Sequence, residues 1–161
     1  MSTKDKNLSV YDKTNMPNAE TLRFGIVISQ WNSHITHNLQ KGAVETLIEL
    51  GAKNENIECC EVPGSFELIY GASQLCKSKS YDAIIVIGSV IRGETPHFDF
   101  VCSGVTQGIK DLNIKYDTPV IFCLLTDNDE QQAIDRSGGK YGNKGVEAAA
   151  TAVMMCGFKK S

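Results

Sequence analysis

DAIIVIGSVI, residues 82–91, is the stretch on which the fold turns. Its apolar positions run almost without interruption and most are β-branched. A strand with one wet face alternates apolar and polar residues. A near-continuous run fits a central parallel strand covered on both sides. Three more runs read as strands: LRFGIVIS at 22–29, the weaker NIECCEV at 56–62, and PVIFCLL at 119–125. Helical periodicity fills the gaps. Asn32 or Ser33 caps a helix through Leu50 that presents Ile35, Leu39, Ala43 and Leu47 on one face, with Gly51 as the stop. Further helices are predicted from Ser65 to Lys77 and from Pro96 to Leu112. Asp129 and Gln132 form a capping box for a short helix. The glycine-rich turn SGGKYGNKG, 137–145, leads into an alanine-rich helix ending at Gly157. Strand and helix alternate, so the fold class is α/β with a parallel sheet and helices on both faces.

The 161 residues suit one domain. Sixteen basic and nineteen acidic side chains give a net charge of −3. With no basic run, this argues against a nucleic-acid partner. The first twenty residues lack the apolar core of a signal peptide, and no apolar run reaches membrane-spanning length. A cytoplasmic protein is expected. Residues 1–21 read as an arm, either free or paired with a neighbouring subunit through LSVYD, and 22–161 as the domain. None of the six cysteines forms a C-x-x-C pair. They read as small buried hydrophobes, and no metal is expected.

Ligands of open parallel sheets bind beyond the carboxyl ends of the strands. That points to the loops Ser29–Asn32, Pro63–Glu67, Ile91–His97 and Thr126–Asp129. In RGETPH, residues 92–97, Thr95 suits a helix N-cap and Pro96 the first helical position. The first-turn amides then form an anion site, and Gly93 admits a close ligand. His97 falls in the same turn, where imidazole can exchange protons near neutral pH. The bland alternative is a capped helix with a surface histidine. Gly64, Ser65, Phe66 and Glu67 offer amides and a carboxylate to a polyol or heterocycle edge, or simply start a helix. Trp31 can stack on a heterocycle or pack in an interface. Arg136, Lys140 and Lys144 can grip phosphate or be solvated. His34 and His37, three apart, have no acidic partner nearby in sequence and read as surface residues rather than a metal pair.

RFGIVISQWN, EVPGSFEL, GSVIRGETPHFDFVCSGV, PVIFCLLT and NKGVEAAATA occur in order over about residues 22–156. Together they resemble the 6,7-dimethyl-8-ribityllumazine synthase family. The resemblance implies a three-layer, flavodoxin-like α/β/α sandwich around a four-stranded parallel sheet. It implies condensation of 5-amino-6-(D-ribitylamino)uracil with L-3,4-dihydroxy-2-butanone 4-phosphate, without cofactor or metal, at the penultimate step of riboflavin biosynthesis. It assigns proton transfer to His97. It assigns pyrimidine and ribityl contacts to Trp31, Ser65, Phe66, Glu67, Ser89, Val90 and Ile91, with phenylalanine commoner at the position of Trp31. Phe122 would come from the neighbouring subunit, and Lys144 lies near the same site. Gly93, Glu94, Thr95 and Arg136 would bind phosphate. It also implies homopentamers with sites between subunits. The short SGGKYGNKG turn favours twelve pentamers in a 60-subunit icosahedral shell, with riboflavin synthase as a conceivable cargo. One departure is local: LTDNDEQQ stands where the family often reads L-T-T-D-T. The rivals are a non-catalytic flavin-binding shell and a generic flavodoxin-like protein. Intact His97, Arg136 and Lys144 disfavour the first, and the poor phosphate loop SQWNSH disfavours the second.

Overall fold

In a computed structural model describing residues 7–160, four strands form one parallel sheet: β1 (Phe24–Ser29), β2 (Ile57–Val62), β3 (Ala83–Ile91) and β4 (Val120–Asp127). Their order is β2-β1-β3-β4. Helices α1 (Ser33–Glu49), α2 (Leu68–Ser78) and α3 (His97–Lys115) fill the crossovers, and α4 (Glu130–Arg136) and α5 (Lys144–Lys160) follow β4. Strand side chains alternate between two cores, as pleating requires. Phe24, Ile26, Ile28, Ile85, Ile87, Ile121 and Cys123 meet α1, α4 and α5. Val27, Ile84, Val86, Val120 and Leu124 meet α2 and α3. The uninterrupted run at 82–91 thus feeds both cores at once. This is the three-layer, flavodoxin-like sandwich, and the order of strand addition reverses between β1 and β3. Among the described residues, no helix is long and apolar enough to cross a membrane.

Several boundaries differ from the sequence reading. β4 runs on to Asp127, paired opposite Ile91. Helix α2 starts at Leu68, because residues 65–67 form a turn and the Ser65 hydroxyl makes no capping bond. Helix α3 begins at His97 with Pro96 as its N-cap, so Thr95 does not cap it. Its extra C-terminal turn is held by Asn113. That side chain donates to the carbonyls of Ile109 and Val120 and accepts from Val120 N–H, at 2.9–3.0 Å. Asn32 takes the N-cap of α1 in a left-handed conformation with φ 58°, but its side chain turns away from the helix. Asp129 caps α4 by accepting from Gln132 N–H. Gln132 answers to the N–H of Asn128 rather than of Asp129, so the capping box closes one residue early. The glycine-rich turn contains a small hairpin, β5 (Ser137–Gly139) with β6 (Gly142–Asn143), and α5 continues past Gly157.

The distinctive NKG stretch has a packing role. Asn143 donates to the Asn38 carbonyl of α1 at 2.9 Å, accepts from Gly145 N–H, and its own N–H reaches Ser9 Oγ. Gly145 lies so close to α1 that a Cβ there would sit 1.9 Å from the Leu39 carbonyl oxygen. Within residues 1–21, the described part lies against the same chain. Leu8 N–H donates to the Tyr141 carbonyl, and Glu49 of α1 accepts from Tyr11 and pairs with Lys13.

Candidate active site

The cavity lies at the carboxyl ends of β1 and β3, where the strand order reverses, as expected of a doubly wound topology. It encloses about 660 Å³. Its floor is the end of β3, and its walls are the turns after β1 and β2 and the start of α3. Hydrogen bonds fix these turns to one another. Gln30 and Trp31 donate their N–H groups to the carbonyls of Val62 and Pro63. Asn32 Nδ2 donates to the Ser89 carbonyl at 3.1 Å, which explains its turned side chain. Thr36 Oγ1 donates to the Ser29 carbonyl at 2.8 Å.

Trp31, Ser65, Phe66, Glu67, Ser89, Val90, Ile91, Gly93, Thr95 and His97 all line this cavity. Trp31 is 72% and Phe66 54% exposed, so two aromatic faces stand open at the rim. Large apolar surfaces left in water beside a concavity are typical of ligand sites. Ser65 is buried, tight against Gly88, where a Cβ would approach its Oγ to 2.8 Å. Ser89 Oγ is buried in the floor with no hydrogen-bond partner in the chain. An unpaired buried hydroxyl is costly in a folded protein and suits a ligand that supplies the bond. His97 stands exposed on the first turn of α3. Gly93 has no atom within 4 Å of a built Cβ, so the loop is open toward the cavity.

Arg92 braces the loop that carries these groups. Its guanidinium pairs with Asp99 at 2.8 and 3.3 Å, reaches Asn128, and stacks 4.2 Å from the Phe98 ring centroid. That accounts for an arginine at the end of a buried strand: it ties loop 92–96 to α3. The Asp99 carboxylate beside it holds Arg92 firmly in the cationic state.

Four predicted residues lie outside this cavity. Glu94 is exposed on the loop. Phe122 and Lys144 line a separate hollow with Asn113, Glu147 and Met155. Arg136 ends α4, donating to the Gln132 carbonyl at 3.0 Å and lying 5.3 Å over the Tyr141 ring. The sequence reading missed Phe98, Phe100 and Val101, which line the cavity from α3. Phe100, 73% exposed, was detectable as an apolar residue on the wet side of an amphipathic helix. Glu147 was also missed. It pairs with Lys144 at 2.6 Å, an i,i+3 contact that follows from placing both on α5.

The two histidines of α1 do have acidic partners, contrary to expectation. His34 meets Glu130 at 2.8 Å and His37 meets Glu61 at 3.3 Å. The carboxylates belong to different elements, so the pair does not converge on one point. No cluster of three metal-ligating side chains occurs among the described residues. The cysteines divide. Cys76, Cys123 and Cys156 are buried, but Cys59 is exposed. Burial pushes the Cys123 thiol up to about 12.

The topology and the cavity at the switch point define a doubly wound α/β protein with a candidate ligand site at the strand ends. The chain belongs to the 6,7-dimethyl-8-ribityllumazine synthase family, whose model matches residues 21–160. It is similar to the 6,7-dimethyl-8-ribityllumazine synthase of Flavobacterium psychrophilum, 61% identical over 155 residues, covering 96% of this chain and 82% of that one. Those of Christiangramia forsetii (57% over 161 residues; 99% and 96%) and Phocaeicola vulgatus (56% over 160; 99% and 95%) are similar along nearly their whole length. Family membership places the chain among the transferases of riboflavin biosynthesis.

Proposed function

We propose that the protein condenses 5-amino-6-(D-ribitylamino)uracil with L-3,4-dihydroxy-2-butanone 4-phosphate to give 6,7-dimethyl-8-ribityllumazine, phosphate and water. The observation that carries this reading is the cavity itself, which gathers an aromatic rim, an unpaired serine floor, an open glycine loop and a histidine. Trp31 and Phe66 offer stacking faces for the pyrimidine. Ser65, Glu67 and the end of β3 offer polar contacts to the ribityl chain and ring edge. Gly93, Glu94 and Thr95 border the anion position at the start of α3.

The 5-amino group attacks the ketone and loses water to form an imine. His97 then moves protons as the phosphate leaves, and ring closure with loss of water completes the lumazine. General acid–base help of this kind supplies about 10²–10⁴-fold. Holding two substrates face to face supplies much of the remainder.

Arg136, Phe122 and Lys144 lie apart from the cavity of their own chain. We read them as completing the cavity of a neighbouring subunit, with Arg136 gripping the phosphate. The family resemblance makes that assembly a homopentamer, and the short turn before α5 favours a shell of twelve. Riboflavin synthase is a conceivable cargo, and the cytoplasm the expected location.

The test is direct. Purified protein is mixed with both substrates, and lumazine absorbance and fluorescence are followed beside the His97→Ala protein. Product formation that slows by about 10²–10⁴-fold in the variant supports both the reaction and the histidine's role. A folded wild type that makes no lumazine overturns the reading.

A further inference from the structure

Asp127 is the last residue of β4 and only 5% exposed. By strand alternation its side chain shares the face of Cys123 and Leu125, toward α1, α4 and α5. Oδ1 lies 3.6 Å from Nη1 of Arg136, an ion-pair distance too long for a hydrogen bond. Oδ2 is buried and has no hydrogen-bond partner. Burial pushes this carboxyl upward toward its neutral form, while Arg136 pulls the other way. A buried carboxylate so thinly partnered stabilises the fold less than an apolar side chain would.

What it does contribute, ionised beside the guanidinium, is a negative charge on one side of Arg136. The guanidinium has five N–H donors in a rigid fork. One goes to the Gln132 carbonyl, the Tyr141 ring lies against the plane, and the side chain remains one-third exposed. We propose that Asp127 is a positioning residue for Arg136, holding the inner side of its guanidinium and moderating its grip so that released phosphate departs. This rests on the reading of Arg136 as the phosphate ligand. A phosphate bound on the open side of the fork lies one guanidinium away from a second anion, and the repulsion weakens its binding.

The test uses the assembled wild type, D127N, R136A and the double variant. The readouts are inhibition by inorganic phosphate and the KM of each substrate. D127N keeps the shape and a polar neighbour for Arg136 but removes the charge. We expect phosphate to inhibit it about fivefold more strongly, with KM for the phosphate substrate falling in step. KM for the uracil substrate stays put. In the R136A background, D127N changes neither constant. D127S carries the same expectation should D127N not assemble. Unchanged phosphate inhibition in D127N, where R136A does weaken it, overturns the proposal. So does an effect that persists without Arg136, or one that moves both KM values together as a general distortion would. If R136A itself leaves phosphate inhibition and KM intact, the phosphate role of Arg136 is what fails, and the proposal falls with it.

Discussion

Replacing Gly145 by alanine isolates what the NKG stretch does for the fold. The added Cβ would lie 1.9 Å from the Leu39 carbonyl oxygen, 2.8 Å from its carbon and 3.0 Å from Asn143 Oδ1. The first two are backbone atoms of α1 and have no rotamer to escape into. An opening of about 1.1 Å is the least that restores a tolerable 3.0 Å. That opening loosens Leu39 and Ala43 against Ala148, Ala149 and Ala152, which share one core. Overpacking of this kind costs about 1–3 kcal/mol, and a clash with backbone belongs at the upper end. Alanine gains back at most about 1 kcal/mol of helix propensity. A net loss of about 2 kcal/mol follows, or a fall in Tm of about 4–8 °C for a domain of this size. Gly93 is the matched control. Nothing lies within 4 Å of its built Cβ and its φ is not in the left-handed region, so Gly93→Ala should stay within about 0.5 kcal/mol of wild type. The assay is urea unfolding followed by circular dichroism at one fixed subunit concentration, since assembly makes stability concentration-dependent. A Gly145→Ala protein as stable as wild type, beside an unperturbed Gly93→Ala, would refute the close approach of α1 and α5.

The other expectations can be checked quickly. Tyr11 and Tyr81 donate to Glu49 and Glu58, and burial with these carboxylates pushes both phenols from 10 up to about 12. Each contributes stability that is fully present below pH 10 and lost as pH rises through about 12; ultraviolet titration should show a phase near 12 that shrinks in Tyr11→Phe and in Tyr81→Phe. Arg136→Ala should raise KM for the phosphate substrate far more than KM for the uracil substrate, measured by steady-state kinetics. His97→Ala and Arg136→Ala, dissociated and reassembled together, should regain activity in about a quarter of sites if each site joins two subunits. Activity no higher than that of the separate variants would mean that each subunit builds its own site.

The sheet was legible because residues 82–91 could be nothing but a strand covered twice, and the other strands followed from spacing. What sequence concealed was mostly partnership at a distance. Glu130 is 96 positions from His34 and Glu61 is 24 from His37, so neither ion pair leaves a local trace. Ser65 and Thr95 have the chemistry of caps, but Ser65 lies two residues and Thr95 one residue ahead of the observed N-cap. The strand-end rule placed ten of the fourteen candidate site residues around one cavity, because it depends only on topology. Phe122, Arg136 and Lys144 escaped it because they lie within β4, on α4 and on α5, away from the switch point between β1 and β3. Asp127 fell in a flagged loop, Thr126–Asp129, but its burial at the end of β4 was hidden because the two-residue extension of the strand looked like loop.

The seam between α1 and α5 also sets a schedule. Asn143 meets a carbonyl of α1 that was made 105 residues earlier. At a synthesis rate of about 5–20 residues per second, the oily stripe of the first helix waits roughly 5–20 s for its cover. For that interval the nascent chain carries Ile35, Leu39, Ala43 and Leu47 without α5 to shield them. The ribosome, rather than the finished molecule, is where this protein is most vulnerable to sticking to its neighbours.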